Sequence, residues 1–290
     1  MKIEEILSDK KHADYSWREW TEHLERTQEL YARAATTQTF ANIKLGNGKH
    51  PCCILPWSDL HWGGRGVDYK IFRTMTEEIL ATPHLYVALV GDLVELAIKL
   101  RSVAEVCAQM VGPDKQVQFL EDWFAEISPK VILATWDNHA LEREEKQSGV
   151  SIVKKIMAAR TVMFDGIGHA DISVGKQLYK FAFSHKFRGY SYLNAPHAGQ
   201  RYMRFQGTDR NIAVMGDIHQ PSWNHYFDGP MKRLSLVAGT LNTQSLYANR
   251  HFSIFTQPYF PCVELAHDQY EFTPFENLHS WRRHSLLETA

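Results

Sequence analysis

The chain has 290 residues, which is long enough for one large domain or for two modest ones. Apolar residues make up 44% and charged residues 22%, a composition typical of globular proteins and not of disordered ones. The 32 basic and 33 acidic side chains leave a formal net charge of -1. This balance argues against a protein that coats nucleic acid along its whole surface, although a local basic groove is compatible with it.

The cysteines and the apolar runs indicate the cellular compartment. Cys52, Cys53, Cys107 and Cys262 have neither Cys-x-x-Cys spacing nor the density of a disulfide scaffold. The first residues lack the basic-then-apolar pattern of a secretion signal, and no apolar run reaches membrane-spanning length. We therefore expect reduced thiols, no membrane association and a soluble protein of the cytoplasm.

Residues 1–48 are predicted to form an N-terminal helical extension. Trp17, Trp20 and Leu24 recur at roughly helical spacing, and no Gly or Pro occurs before Gly46. A helical cap on the main domain is the favoured interpretation, and a helix for dimerisation or for a partner is the alternative. The main domain is predicted to span 49–290.

The first half of the main domain alternates buried strands with helices. An apolar strand at 53–55 precedes Asp59 and His61, and a second at 85–90 precedes Gly91-Asp92. A helix over 93–111 and another over 115–127 should follow. On an extended segment, side chains two residues apart point the same way, so Asp59 and His61 could address one point in space.

Three further strands also end in polar residues that can bind metals. The strand at 130–135 leads to Asn138-His139, the strand at 178–184 to His185, and the strand at 212–215 to Asp217-x-His219. Ligands gather at the carboxyl ends of strands in open α/β sheets. Five such strand ends along one chain indicate a site built from distant segments.

In this order, the five blocks resemble the signature of the calcineurin-like metallophosphoesterase superfamily. That signature runs Asp-x-His, Gly-Asp-x-x-Asp/Glu, Gly-Asn-His-Asp/Glu, His, Gly-His-x-His, and its counterparts here span residues 59–219. Three flanking segments resemble a bacteriophage-encoded branch of that superfamily: Gly66-Val67-Asp68-Tyr69, Thr82-Pro83-His84-Leu85-Tyr86 and His185-Lys186-Phe187-Arg188-Gly189. For a phage-encoded protein, the compartment would be the host cytoplasm. The resemblance implies an α/β fold, a four-layer sandwich of two mixed β-sheets flanked by helices.

The resemblance also implies a centre of two divalent metal ions. The first ion would take Asp59, His61 and His219, the second would take Asn138, His185 and Asp217, and Asp92 would bridge them. Two ions can activate a hydroxide and neutralise phosphate charge, and mixed oxygen and nitrogen ligands suit Mn²⁺, with Mg²⁺, Fe²⁺ and Zn²⁺ as alternatives. His139 matches the family's general acid, and Lys186 and Arg188 are candidates for binding substrate phosphate.

Two positions depart from the family pattern. Asp137-Asn138-His139-Ala140 lacks both the leading Gly and the trailing acid, and Asp137 or Glu142 is a candidate to orient His139 instead. Asp217 stands where the family has a histidine ligand of the second metal. One interpretation is a degraded centre with one metal or none. The preferred one is that Asp217 still binds the second ion and favours Mn²⁺ or Mg²⁺ over Zn²⁺.

The expected function is hydrolysis of a phosphate ester, most consistent with a phosphodiester in nucleic acid, as in a nuclease, or with a nucleotide. A phosphomonoesterase that acts on a small molecule or a phosphoprotein is one alternative. A binding or accessory module that keeps the fold without catalysis is another, because fold alone does not fix function.

Overall fold

The computed structural model describes residues 16–34, 38–97, 109–137, 141–142, 146, 151–189, 191, 193–243 and 259–288. The chain divides into two compact units, 1–37 and 38–290. The described part of the first unit is a helix, α1 (Trp17–Ala34). Ser16 and Glu19 form a reciprocal capping box at its start, in which each backbone N–H donates to the other residue's side chain. The helix expected from the sequence is therefore present, and its two suggested roles stay predictions.

The second unit begins earlier than the sequence boundary at 48/49. Phe40–Leu45, which had been assigned to the helical extension, is strand β1 and pairs in parallel with a later strand of the main sheet. Its inward residues Ala41 and Leu45 are buried between the sheets, so burial places this segment in the main domain.

Two mixed six-stranded sheets form the centre of the second unit. The first has the order β1-β6-β7-β8-β10-β9, and the second has the order β12-β11-β2-β3-β4-β5. The remaining strands are β2 (Cys52–Trp57), β3 (Leu85–Leu89), β4 (Val131–Thr135), β5 (Val162–Phe164), β6 (Gly168–Val174), β7 (Gln177–Ser184), β8 (Ile212–Met215), β9 (Ser222–Asp228), β10 (Met231–Val237), β11 (Cys262–Leu265) and β12 (Phe272–Phe275).

Helices cover the outer faces of both sheets. The second sheet packs against α2 (Tyr69–Ala81), α3 (Pro113–Ile127), α4 (Ile152–Ala158) and α6 (Leu278–Glu288), and the first packs against α5 (His197–Phe205). A three-residue 3-10 helix, Ser128–Lys130, leads into β4. The inner faces of the two sheets share one apolar core that includes Ile54, Phe181 and Val214. The expected four-layer α/β sandwich is therefore confirmed.

The burial of each strand follows its sequence. β2 and β4 are continuous apolar runs and are buried on both faces, because helices cover one face and the other sheet covers the opposite one. Three of the four cysteines, Cys52, Cys53 and Cys262, are buried in or beside this layer as free thiols. Cys107 lies outside the described residues.

The prediction of a helix over 93–111 is wrong at both ends of that range, which are the parts that the structure describes. Residues 93–97 have no helical structure, and residues 98–108 lie outside the described part of the chain. The backbone N–H groups of His61 and Trp62 bond to the carbonyls of Asp92 and Leu93, and Glu95 N–H bonds back to Trp62. Pairing with the neighbouring segment satisfies these backbone groups, so a helix is not needed to do so.

The core between the sheets should carry much of the stability. Phe183 is fully buried there, so Phe183→Ala should lower the free energy of unfolding by about 3–5 kcal/mol in urea denaturation. Phe227→Ala is a matched control in the same sheet, because Phe227 is 73% exposed and should change stability by about 1 kcal/mol or less. Equal losses in the two variants would contradict this placement of the core.

Candidate metal centre

Polar side chains from both sheets meet where parallel strands end. Asp59 and His61 follow β2, and Asp92 follows β3 in the same sheet. His185 follows β7 directly, and His219 follows the neighbouring strand β8. The face-to-face packing of the two sheets brings these five residues together.

Asp59, His61 and His219 form the first group of donor atoms. His219 Nε2 lies 3.0 Å from Asp59 Oδ1 and 3.3 Å from His61 Nε2. His61 Nε2 lies 3.9 Å from Asp59 Oδ1. Ligand atoms that share one divalent ion lie roughly 3–4 Å apart, so these three could bind one cation.

Asp59, Asp92 and His185 form a second group, in which the donor atoms lie within 4.8 Å of one another. His185 Nε2 lies 3.3 Å from Asp92 Oδ2, and the same oxygen lies 3.9 Å from His61 Nε2. Asp59 is the residue common to both groups, whereas the resemblance had assigned the bridge to Asp92. The Asp92 oxygen nevertheless lies between an imidazole of each group.

Two buried atoms support a cation at this place. Asp59 Oδ1 and His185 Nε2 are inaccessible to solvent and make no hydrogen bond of acceptable geometry with the described residues, despite their close neighbours. A buried polar atom without a partner is costly unless something else satisfies it. A divalent ion would satisfy both atoms, and the donor set of carboxylate oxygen and imidazole nitrogen fits such an ion.

Neighbouring groups orient the donor atoms. Ser58 Oγ and the backbone N–H of Asp217 both donate to Asp59 Oδ2, which leaves Oδ1 for a cation. His185 Nδ1 lies 2.7 Å from the Val90 carbonyl oxygen. A carbonyl can only accept, so Nδ1 carries a proton, and a cation bound by His185 would take the place of any proton on Nε2.

Glu95 orients His61 in the same way. Its Oε2 lies 3.1 Å from His61 Nδ1, so that the Nε2 lone pair of His61 points toward the other donors. Glu95 is not among the site residues predicted from the sequence. Its spacing in Gly91-Asp92-x-x-Glu95 was the signal that could have found it.

The backbone at this edge is in the left-handed region. The φ angles are 53° at Asp59, 46° at His61, 50° at Asp92, 68° at Asp217 and 58° at His219. Each such residue costs roughly 1–3 kcal/mol, and such strain clusters at functional sites. The expectation that Asp59 and His61 project from one extended segment is wrong, because β2 ends at Trp57.

Gly216 provides the close approach that this arrangement needs. A Cβ there would lie 2.0 Å from Ser58 Oγ and 2.7 Å from Asp59 Oδ2. Any side chain at this position would therefore displace the hydroxyl and the carboxylate that it orients.

Burial and mutual charge determine the protonation of the cluster. Burial alone would lower the pKa of His185, but the adjacent Asp92 carboxylate, with Asp59 and Asp137, raises it well above its usual value. Burial alone would raise the pKa of Asp59, but the charges of His219 and His185 hold it below its usual value. The centre is thus a concentrated set of carboxylates that are stabilised by positive charge.

The structure places Asp217 in contact with Lys186, one of the two basic candidates. Asp217 belongs to neither donor group within the described part of the chain, and its Oδ2 lies 2.8 Å from Lys186 Nζ. Lys186 therefore contacts a residue that was predicted as a metal ligand. Arg188 is exposed, three residues beyond His185.

Asn138 and His139 lie outside the described residues, so their predicted roles stay predictions. The preceding residue, Asp137, is buried, and its carboxylate accepts from the backbone N–H groups of Asp92 and Leu141. Asp137 therefore supports the segment that carries Asp92. Glu142 forms a partly exposed ion pair with Lys146.

Two packed mixed sheets and a carboxylate–imidazole cluster at their strand ends define a four-layer α/β protein with a candidate metal centre. Comparison with protein-family models finds no match, and neither does comparison with curated proteins. Within the described residues, no helix is both long and apolar enough to cross a membrane.

Solved structures similar to this chain include Vacuolar Protein Sorting 29 from Cryptosporidium parvum, with 18% identity over 79% of this chain and 100% of that one, at a TM-score of 0.41. Vps29 from Entamoeba histolytica, complexed with Zn²⁺, has 13% identity over 77% of this chain and 97% of that one, with a TM-score of 0.40. A Streptococcus pneumoniae protein described as a predicted phosphoesterase has 14% identity over 78% and 98%, at 0.34.

The Glu95–His61 contact should control metal affinity. Glu95→Gln removes the carboxylate that fixes the His61 tautomer, so Mn²⁺ affinity should fall by about 10–100-fold in isothermal titration calorimetry. Glu77→Gln is the matched control on the exposed face of α2 and should bind Mn²⁺ as the wild type does. Unchanged affinity in Glu95→Gln would show that Glu95 does not support a ligand.

Proposed function

We propose that this protein is a divalent-metal-dependent phosphoesterase, and that its substrate is a phosphodiester in nucleic acid or in a nucleotide. The observation that carries the proposal is the cluster of Asp59, His61, Asp92 and His185, which are buried, and His219, which is partly exposed, at the strand ends. Divalent ions supply Lewis acidity that activates water and neutralises the charge on a reacting phosphate.

The residues of the cluster have distinct roles in this proposal. Asp59, His61 and His219 would hold one ion, and His185 would hold the other together with Asn138 and Asp217. Asp92 is shared, which is supported by the position of its Oδ2 between His61 and His185. His139 protonates the leaving oxygen, since it is two residues beyond the buried Asp137 in a block resembling the family's catalytic segment.

The donor chemistry favours Mn²⁺ as the working ion. The cluster offers carboxylate oxygens and imidazole nitrogens, and no thiol is among its donors in the described residues. Such a mixed set suits Mn²⁺, Mg²⁺ and Fe²⁺ as well as Zn²⁺, and the extra carboxylate of Asp217 favours the harder ions.

A groove beside the centre supports a substrate with a neutral portion next to its phosphate. Residues 193–196 and 220–224 line a cavity of about 410 Å³, and Gln220 directly follows the ligand His219. None of the described lining residues is charged, and Asn194, Gln220 and Asn224 offer amide donors and acceptors. Amides of this kind can recognise the edge of a nucleobase, and the phage-like flanks are consistent with a nuclease-type substrate.

Hydrolysis of bis-p-nitrophenyl phosphate should depend on added divalent ion, with Mn²⁺ or Mg²⁺ more effective than Zn²⁺. Asp92→Asn should reduce turnover by about 100-fold or more, because it removes the shared carboxylate. His139→Ala should reduce it by about 10²–10⁴-fold through loss of the general acid.

Two exposed residues provide matched controls for these variants. Asp122→Asn in α3 and His279→Ala in α6 change the same residue types and should keep wild-type turnover. No turnover with any ion, or full turnover in both Asp92→Asn and His139→Ala, would overturn the enzymatic proposal.

The groove should affect only substrates that carry a base. The double variant Asn194→Ala/Asn224→Ala should raise KM for thymidine 5′-p-nitrophenyl phosphate by about three- to tenfold, as expected for lost neutral hydrogen bonds. Its KM for bis-p-nitrophenyl phosphate should not change. Asn47→Ala is the control. Asn47 follows β1, which is antiparallel to β8, so it lies at the end of the strands opposite to the metal centre. Equal effects on both substrates would contradict recognition of the base.

A further inference from the structure

The ion pair between Lys186 and Asp217 lies at the position where the sequence departs from the family pattern. Lys186 Nζ is 2.8 Å from Asp217 Oδ2, and the two side chains are 50% and 16% exposed. Asp217 stands where a neutral imidazole would bind the second ion. The Lys186 ammonium and the Asp217 carboxylate together have no net charge, as a neutral imidazole has none. Unlike an imidazole, however, the pair has one of its potential metal-binding atoms, Asp217 Oδ2, occupied by the ammonium.

Hydrogen bonds that involve the backbone fix the position of this ion pair relative to the metal centre. Gly216 N–H donates to the His185 carbonyl, and Asp217 N–H donates to Asp59 Oδ2. Ser184 Oγ donates to the Lys186 carbonyl at 3.0 Å. Both partners therefore sit next to ligands on segments fixed to each other, and Lys186 directly follows His185 of the second donor group.

We propose that Lys186 competes with the second divalent ion for Asp217, so that the two ions bind with unequal affinity. The inference rests on the proposed metal centre. The first ion would be held by Asp59, His61 and His219, a set that includes neither member of this ion pair. The second ion, at His185 and Asp92, gains the Asp217 oxygen only when the lysine ammonium leaves it.

The strength of the competition follows from the exposure of the pair. A partly exposed ion pair changes an equilibrium by up to about fivefold, and the ammonium also repels an incoming cation. Removing the ammonium should therefore tighten binding of the second ion by about three- to tenfold and leave the first ion unaffected.

Calorimetric titration of metal-free protein with Mn²⁺ tests this inference, with free Mn²⁺ followed by electron paramagnetic resonance. The wild type should bind two ions in two separate steps. Lys186→Met should shift only the second step to about three- to tenfold lower Mn²⁺ concentration, and Lys186→Arg should retain the wild-type separation. Asp217→His should also tighten the second step, because an imidazole does not attract the ammonium.

Lys176→Met is the matched control. Lys176 is exposed in the turn before β7, at the opposite end of the strand from His185, and its substitution should leave both steps unchanged. A second step that is unchanged or weaker in Lys186→Met would overturn the competition, as would two equal affinities in the wild type.

The outcomes also separate this inference from the proposed function. Two-step binding with the expected Lys186→Met shift, but without turnover of any phosphate ester, would overturn the function and support the competition. Turnover with two equal ion affinities would do the reverse. Absence of Mn²⁺ binding in every variant would overturn both.

Discussion

Asp59 connects the segments on which the candidate site depends. Its backbone N–H bonds to the Gly91 carbonyl after β3, and its carbonyl accepts from Thr240 and Leu241 beyond β10. Its carboxylate accepts from Ser58 and from the backbone of Asp217 after β8. A fully buried acidic residue thus joins strand ends of both sheets, and substitution here would disturb the architecture of the site as well as its charge.

This network explains how strained residues persist at the strand ends. Five residues of the predicted metal site have positive φ angles, and together they cost several kcal/mol by the usual range of roughly 1–3 kcal/mol each. Hydrogen bonds between neighbouring turns, such as His61 N–H to the Asp92 carbonyl, hold them in place. A divalent ion would add to this stabilisation, because it would bind the folded arrangement of donors and not the unfolded chain.

Charge is organised around the cluster in layers. Buried carboxylates and imidazoles form the centre, while Glu95 and the Val90 carbonyl fix the tautomers of His61 and His185. At the partly exposed side, Lys186 offsets Asp217. The described residues that line the groove beginning at Gln220 are uncharged.

Local patterns of burial and periodicity in the sequence were enough to predict the buried apolar strands, most of the helices between them and the polar residues that end the strands. The resemblance of its five blocks to the metallophosphoesterase signature also implied that Asp59, His61, Asp92, His185 and His219 belong to one site. Three features could be known only from the tertiary structure. Strand β1 joins the first sheet, and residues 93–97 pair with the turn after β2 instead of forming a helix. Asp217 forms an ion pair with Lys186. Those outcomes depend on which distant segment satisfies a backbone group or a charge, and no local pattern specifies that partner.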